Sequence, residues 1–131
     1  MPNAVADFAV AVVGAGPAGF YAAAALLAPP EPRVRVDMYE RLPTPWGLVR
    51  AGVAPDHPKI KSISAQFART ATHERFRWFG NVQVGTTVSR EELLARYDAV
   101  VYCVGSPADR DLHIPGEDRP GSVGARDFVG W

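Results

Sequence analysis

A chain of 131 residues, 47% hydrophobic and 21% charged, is long enough for one compact domain with its own core. Its fourteen basic and fourteen acidic side chains cancel, and no long basic run stands out, which excludes an electrostatic case for nucleic acid or an anionic membrane. A single cysteine, Cys103, excludes an internal disulfide, a CxxC redox pair and a zinc cluster, and favours a reducing, cytoplasmic setting.

Phe8 to Ala28 holds no charged residue and is long enough to cross a bilayer. Gly14, Gly16, Pro17 and Gly19 interrupt its middle, however, and no basic residue precedes it as a signal peptide would require. A strand, a glycine turn and a helix account for it better than membrane insertion does. Phe8–Val13 is short, apolar and valine-rich, the pattern of a strand buried on both faces of a parallel sheet. Pro17 to Leu27 turns to alanine and leucine and predicts a helix, which Pro29-Pro30 stops. Val34–Tyr39 alternates apolar and polar side chains as a second strand would, completing a strand–helix–strand unit of about thirty residues.

Leu42 to His57 is rich in Pro and Gly and reads as a structured loop. Pro58 suits the first turn of a helix, along which Ile60, Ile63, Phe67 and Ala71 recur at helical spacing. Phe76 to Val84 predicts one or two short strands around Gly80-Asn81. Ser89 and Glu92 form a capping-box pattern that opens a short helix ending near Tyr97. Asp98–Val104 is predicted as another buried strand, closing on Gly105. A turn-rich connector follows, with Pro107, Pro115-Gly116 and Pro120-Gly121, and a helix begins at Ala125 and reaches Trp131.

The strand–glycine–helix context gives the Gly14-Ala15-Gly16-Pro17-Ala18-Gly19 turn its meaning, because a lone GxGxxG is weak. Gly14 permits the tight turn, Gly16 lets the backbone approach a pyrophosphate, and Gly19 allows close helix–strand packing. The helix N-terminus adds free N–H groups and partial positive charge for phosphates. Glu40, twenty-one positions after Gly19 at the end of the second strand, stands where a carboxylate accepts hydrogen bonds from an adenosine ribose. Its charge disfavours a 2′-phosphate, so NADP is expected to be poor here, while FAD and NAD both remain open.

Pro45 through Pro58 reads PWGLVRAGVAPDHP, Gly80 through Gly85 reads GNVQVG, and the tail runs from Ile114-Pro115-Gly116 to Ala125-Arg126-Asp127-Phe128-Val129-Gly130-Trp131. In register from about Ala9 to the last residue, these stretches closely resemble the adrenodoxin reductase type of ferredoxin–NADP+ reductase. The resemblance implies an α/β, Rossmann-like FAD-binding domain with a parallel sheet, present as its N-terminal portion. Residues 1–105 would be that portion, and 106–131 a connector and the start of an NADP-binding domain. It implies that Gly14, Gly16, Ala18 and Gly19 surround the FAD pyrophosphate and that Glu40 takes the ribose. It also places Leu48 along the flavin, the Val84 backbone at the adenine edge, Gly105 closing over the FAD, and His57 beside the flavin ring in its proton network.

Plainer roles exist for some of these residues. Leu48 and Val84 can be core, His57 can cap the helix at Pro58, and Cys103 is expected to be inert packing. By the same resemblance the intact protein passes electrons from NADPH through FAD to a ferredoxin-type iron–sulfur protein, with no metal site or nucleophile needed. The isolated chain is expected to be inactive, since the NADPH unit and a returning C-terminal segment of the FAD domain lie outside it. Two alternatives are a nucleotide-binding module without catalytic activity of its own and a flavoprotein subunit of the glutamate synthase small-subunit type. The string Ala54-Pro55-Asp56-His57-Pro58 argues against the subunit, and the absence of a cysteine pair after Glu40 argues against a disulfide reductase.

Overall fold

The computed structural model describes residues 6–106 and 109–130. Phe8–Val13 forms β1, Pro17–Leu27 α1 and Val34–Tyr39 β2, with the bounds the sequence predicts. α2 (Leu48–Ala51), α3 (Pro58–Lys61), α4 (Ser64–Ala71), β3 (Phe76–Phe79), α5 (Arg90–Arg96), β4 (Ala99–Tyr102) and α6 (Ala125–Gly130) follow. The four strands make one all-parallel sheet in the order β3-β2-β1-β4. The strand order reverses between β1 and β4, and in such sheets the carboxyl ends of the strands at that reversal are where ligands bind.

Period-two alternation divides the sheet between two apolar layers. Val10 and Val12 of β1, with Val34, Val36 and Met38 of β2, face a core that includes Phe20, Ala23 and Leu27 of α1 and Phe67 of α4. The rings of Phe20 and Phe67 stack at 4.9 Å, and burying each contributes about 1.5–3 kcal/mol. On the other face Ala11 and Val13 meet Leu93 of α5, with Tyr39, Val84, Val88, Tyr97 and Val100 packed around them. α5 begins as its sequence predicts: the Ser89 hydroxyl accepts the Glu92 N–H while the Glu92 carboxylate accepts the Ser89 N–H.

Of the polar positions of β2, the Arg35 side chain is 38% exposed while Asp37 is fully buried on the α5 side, where arginine and tyrosine partners meet it. The loop from Leu42 to His57 contains the single helical turn α2. The helix from Pro58 is two pieces, α3 and α4, because the Ser62 and Ser64 hydroxyls bond back to the Lys59 and Lys61 carbonyls and favour local turns at the break. Of its periodic apolar residues, Phe67 is buried and Ile60 is exposed.

Of the one or two strands expected between Phe76 and Val84, one forms, β3. Asn81 takes a left-handed φ of 57°, the N–H groups of Asn81 and Val82 are drawn to the Leu42 and Glu40 carbonyls, and Val84 makes one isolated bridge to Val88. Among the described residues β4 pairs with β1 alone, so it is a sheet edge rather than a buried strand, and Tyr102 and Val104 are exposed. The connector turns at Gly116 and Gly121, both at positive φ, before α6. Pro107 and Trp131, assigned from sequence to the connector and the final helix, lie outside the described residues.

Candidate functional site

The glycine turn joins the C-terminal end of β1 to α1 beside the strand-order reversal. Gly14 has φ +104°, and a Cβ there would lie 2.3 Å from the Cys103 carbonyl oxygen past the end of β4. A Cβ on Gly19 would lie 2.0 Å from the Gly14 carbonyl oxygen. Backbone crowding therefore imposes both glycines. Gly16 differs: it has ordinary extended dihedrals, and a Cβ would meet nothing within 4 Å. Its missing side chain leaves clear space in front of the turn. No side chain caps α1, Ala18 in its first turn is exposed, and no charged side chain occurs between Phe8 and Ala28. The first-turn N–H groups and the helix dipole thus face that space without a side-chain partner, which suits an anion.

Three segments brace the turn. The Gly14 N–H donates to the Tyr39 carbonyl at 2.8 Å, and the Ala15 N–H donates to Glu40 Oε2 at 2.9 Å. Glu40 Oε1 accepts the Leu42 N–H at 3.1 Å, so backbone donors fix the carboxylate while each oxygen keeps a lone pair for another donor. From the other side Trp46, at φ +88°, donates its N–H to the Ala15 carbonyl at 2.7 Å. Gly47 follows so close that a Cβ on it would lie 3.0 Å from Gly16 Cα. At the end of β4 the Cys103 N–H donates to the Val13 carbonyl at 2.7 Å.

Gly14, Gly16, Ala18, Gly19 and Glu40 are therefore gathered at one place. Gly105 lies two residues beyond Cys103 with φ +69° and open space around it. Leu48 is 68% exposed at the start of α2, which removes core packing as its role. Val84 packs its side chain into the α5-side layer; its segment reaches Glu40 through the Val82 N–H, which donates to the Glu40 carbonyl at 2.9 Å. His57 precedes α3 but makes no side-chain cap: its exposed imidazole pairs through Nδ1 with Asp56 at 2.9 Å. Cys103 is partly buried, and burial pushes its thiol pKa up.

Two parts of the arrangement escaped sequence reasoning. One is the crossing of Trp46-Gly47 over the glycine turn, for which a glycine after a bulky aromatic in a Pro-rich loop was the available signal. The other is the Asp37 cluster. Arg77 donates from Nε and Nη2 at 2.7 and 2.5 Å, the Tyr97 hydroxyl donates at 2.5 Å, and that hydroxyl meets the Tyr39 hydroxyl at 2.7 Å. Its signal was an acid flanked by Val36 and Met38 inside a strand.

No protein-family model matches the chain. NADPH-ferredoxin reductase FprA of Mycobacterium leprae is 64% identical over 126 residues, which is 93% of this chain and 28% of that protein. The mitochondrial NADPH:adrenodoxin oxidoreductase of Salvelinus fontinalis is 52% identical over 122 residues, 93% of this chain and 24% of its own length. The solved structure of Mycobacterium tuberculosis FprA in complex with NADPH superposes with a TM-score of 0.88 at 61% identity, over 95% of this chain and 28% of that one. Sequence and fold together relate the chain to the adrenodoxin reductase type of ferredoxin–NADP+ reductase, of whose members it spans about a quarter.

Proposed function

We propose that this chain is the N-terminal part of the FAD-holding Rossmann domain of a reductase that carries electrons from NADPH to a ferredoxin-type iron–sulfur protein. The observation that carries the proposal is the open face at Gly16, bounded by the uncapped α1 N-terminus and by Glu40. The residues fit a dinucleotide: Gly14, Gly16, Ala18 and Gly19 leave backbone N–H groups and free space for a pyrophosphate, and Glu40 offers oxygen lone pairs to a ribose. The relatives' names, NADPH–ferredoxin and NADPH:adrenodoxin reductase, support NADPH as donor and an iron–sulfur protein as acceptor.

Converting a two-electron donor into one-electron steps is the chemistry FAD supplies when bound. The chain's own residues bind and orient. Leu48, exposed at the head of α2, is proposed to lie along the flavin, the Val84 backbone to meet the adenine edge, and Gly105 to close over the cofactor. His57, paired with Asp56, is proposed to hold a proton beside the flavin ring. Residues 1–105 are assigned to the FAD domain and 106–131 to the connector toward an NADP-binding domain. A cytoplasmic location belongs to the same proposal; among the described residues no helix is long and apolar enough to cross a membrane.

The test is a visible absorbance spectrum of the purified chain after incubation with FAD and removal of free ligand. A flavin band retained near stoichiometric level supports the assignment, and a folded chain that retains none overturns it for this segment. NADPH turnover by the 131-residue chain alone is expected to be negligible, because the chain spans only 28% of the M. leprae relative.

A further inference from the structure

The glycine turn and α1 carry no charged side chain, yet a dinucleotide pyrophosphate brings two negative charges to them. One cation is anchored to the residues that brace the turn. Arg50, in α2, folds its side chain back over Trp46, with Cζ 4.4 Å from the indole centroid, and donates from Nε to the Pro45 carbonyl at 3.0 Å. Trp46 in turn holds the Ala15 carbonyl, and Gly47 lies against Gly16. The guanidinium therefore rests on Trp46, which is bonded to the glycine turn, and on the Pro45 carbonyl beside it.

Stacking and the Nε bond fix the orientation of the group and use one of its five donors. Among the described residues no carboxylate forms an ion pair with Arg50. A guanidinium already immobilised, exposed and unpaired by any acid loses little freedom on meeting a phosphate, and its planar fork suits that partner.

We propose that Arg50 is a pyrophosphate-binding residue of the dinucleotide site, and that Trp46 is the positioning residue that holds its guanidinium. The inference rests on the dinucleotide-binding assignment above. It implies that the aromatic at position 46 acts through its face, as a platform for the cation, and that the charge at position 50 makes cofactor binding sensitive to salt.

The experiment titrates FAD into the unsubstituted chain and into R50Q, R50K and R69Q, at low and at high ionic strength, after far-ultraviolet circular dichroism shows each to be folded. R50Q is expected to weaken FAD about tenfold at low salt and to flatten the salt dependence, the size of one charge-assisted hydrogen bond. R50K should keep most of the salt dependence, and R69Q, which removes an exposed charge on α4, should match the unsubstituted chain. Competition against FAD by ADP should be weakened by R50Q, and competition by adenosine should not. No FAD binding by the unsubstituted chain would overturn the assignment and this inference together. Binding with R50Q indistinguishable from the unsubstituted chain, or with FAD weakened and ADP unchanged, overturns the inference alone.

Discussion

Glu40 Oε2 accepts the backbone N–H of Ala15 at 2.9 Å, so the end of β2 and the middle of the glycine turn are joined through one carboxylate. The same side chain that is proposed to hold a ribose is thereby part of the turn that is proposed to hold the phosphates. E40Q keeps one acceptor oxygen, for Ala15, while its amide NH2 leaves the exposed Leu42 N–H to water, and the charge is lost. It is expected to weaken FAD binding by about tenfold or more, with little change in the thermal midpoint, since hydrogen bonds to charged groups contribute about 1.5–3 kcal/mol. Equilibrium dialysis with FAD, paired with a melting curve, checks both halves; a large fall in midpoint would mean that the carboxylate serves the fold.

The three glycines of the turn should separate by phenotype. G14A and G19A force a Cβ to within 2.3 and 2.0 Å of backbone oxygen, where no side-chain adjustment relieves the clash, so each is expected to destabilise by about 3 kcal/mol or more. G16A meets nothing in the structure and should fold normally, but its methyl group would occupy the space left for a pyrophosphate. Urea midpoints and FAD retention measured on all three variants decide the matter: stability lost in G14A and G19A, cofactor lost in G16A.

Cys103 tests the crowding from the opposite side. Its carbonyl oxygen lies over Gly14 and burial raises its thiol pKa, so little thiolate is present at neutral pH. The thiol is expected to react with Ellman's reagent more slowly than free cysteine at pH 7.5, and in a single phase. A rate equal to that of the unfolded chain would contradict the packing described.

The local elements were legible because their signals are local. The valine run of β1, the alanine-rich α1 and the Ser89/Glu92 box each specify structure over a few residues, and the glycine turn declares its neighbours. What was not legible depended on partners far along the chain. Asp37 reads only as a polar position of an alternating strand until Arg77 and Tyr97 arrive forty and sixty residues later. β4 carries the composition of a buried strand, but its place at the sheet edge is a property of topology that Ala99–Tyr102 do not encode. Trp46 was visible as an aromatic in a loop; its role as a platform for Arg50 requires the one-turn helix that returns the guanidinium to it.

The Asp37 cluster gives the pH behaviour of the fold. Burial alone would raise the carboxyl pKa, but hydrogen bonds from Arg77 and Tyr97 and the charges of Arg77 and Arg35 outweigh it, and the pKa falls below its ordinary 3.8. A lowered folded pKa means that the stabilisation is present above the unfolded value and is lost as pH falls through the folded one. Tyr97 shows the opposite sign. Burial, then its bonds to Asp37 and Tyr39, raise it above its ordinary 10.0, so its contribution is intact below pH 10 and lost above. Stability is thus expected to be flat across neutral pH and to fall below about pH 4, the onset of carboxylate protonation. D37N should cost about 2–3 kcal/mol at pH 7, less than a fully enclosed ion pair because the Arg77 side chain is 53% exposed. Because the variant has no carboxylate to protonate, the difference between it and the unsubstituted chain should hold from pH 7 to about 4 and shrink between there and about pH 3. Urea denaturation at several pH values measures that difference, and a gap that stays constant down to pH 3 would show that the charge on Asp37 contributes nothing and the loss lies in packing.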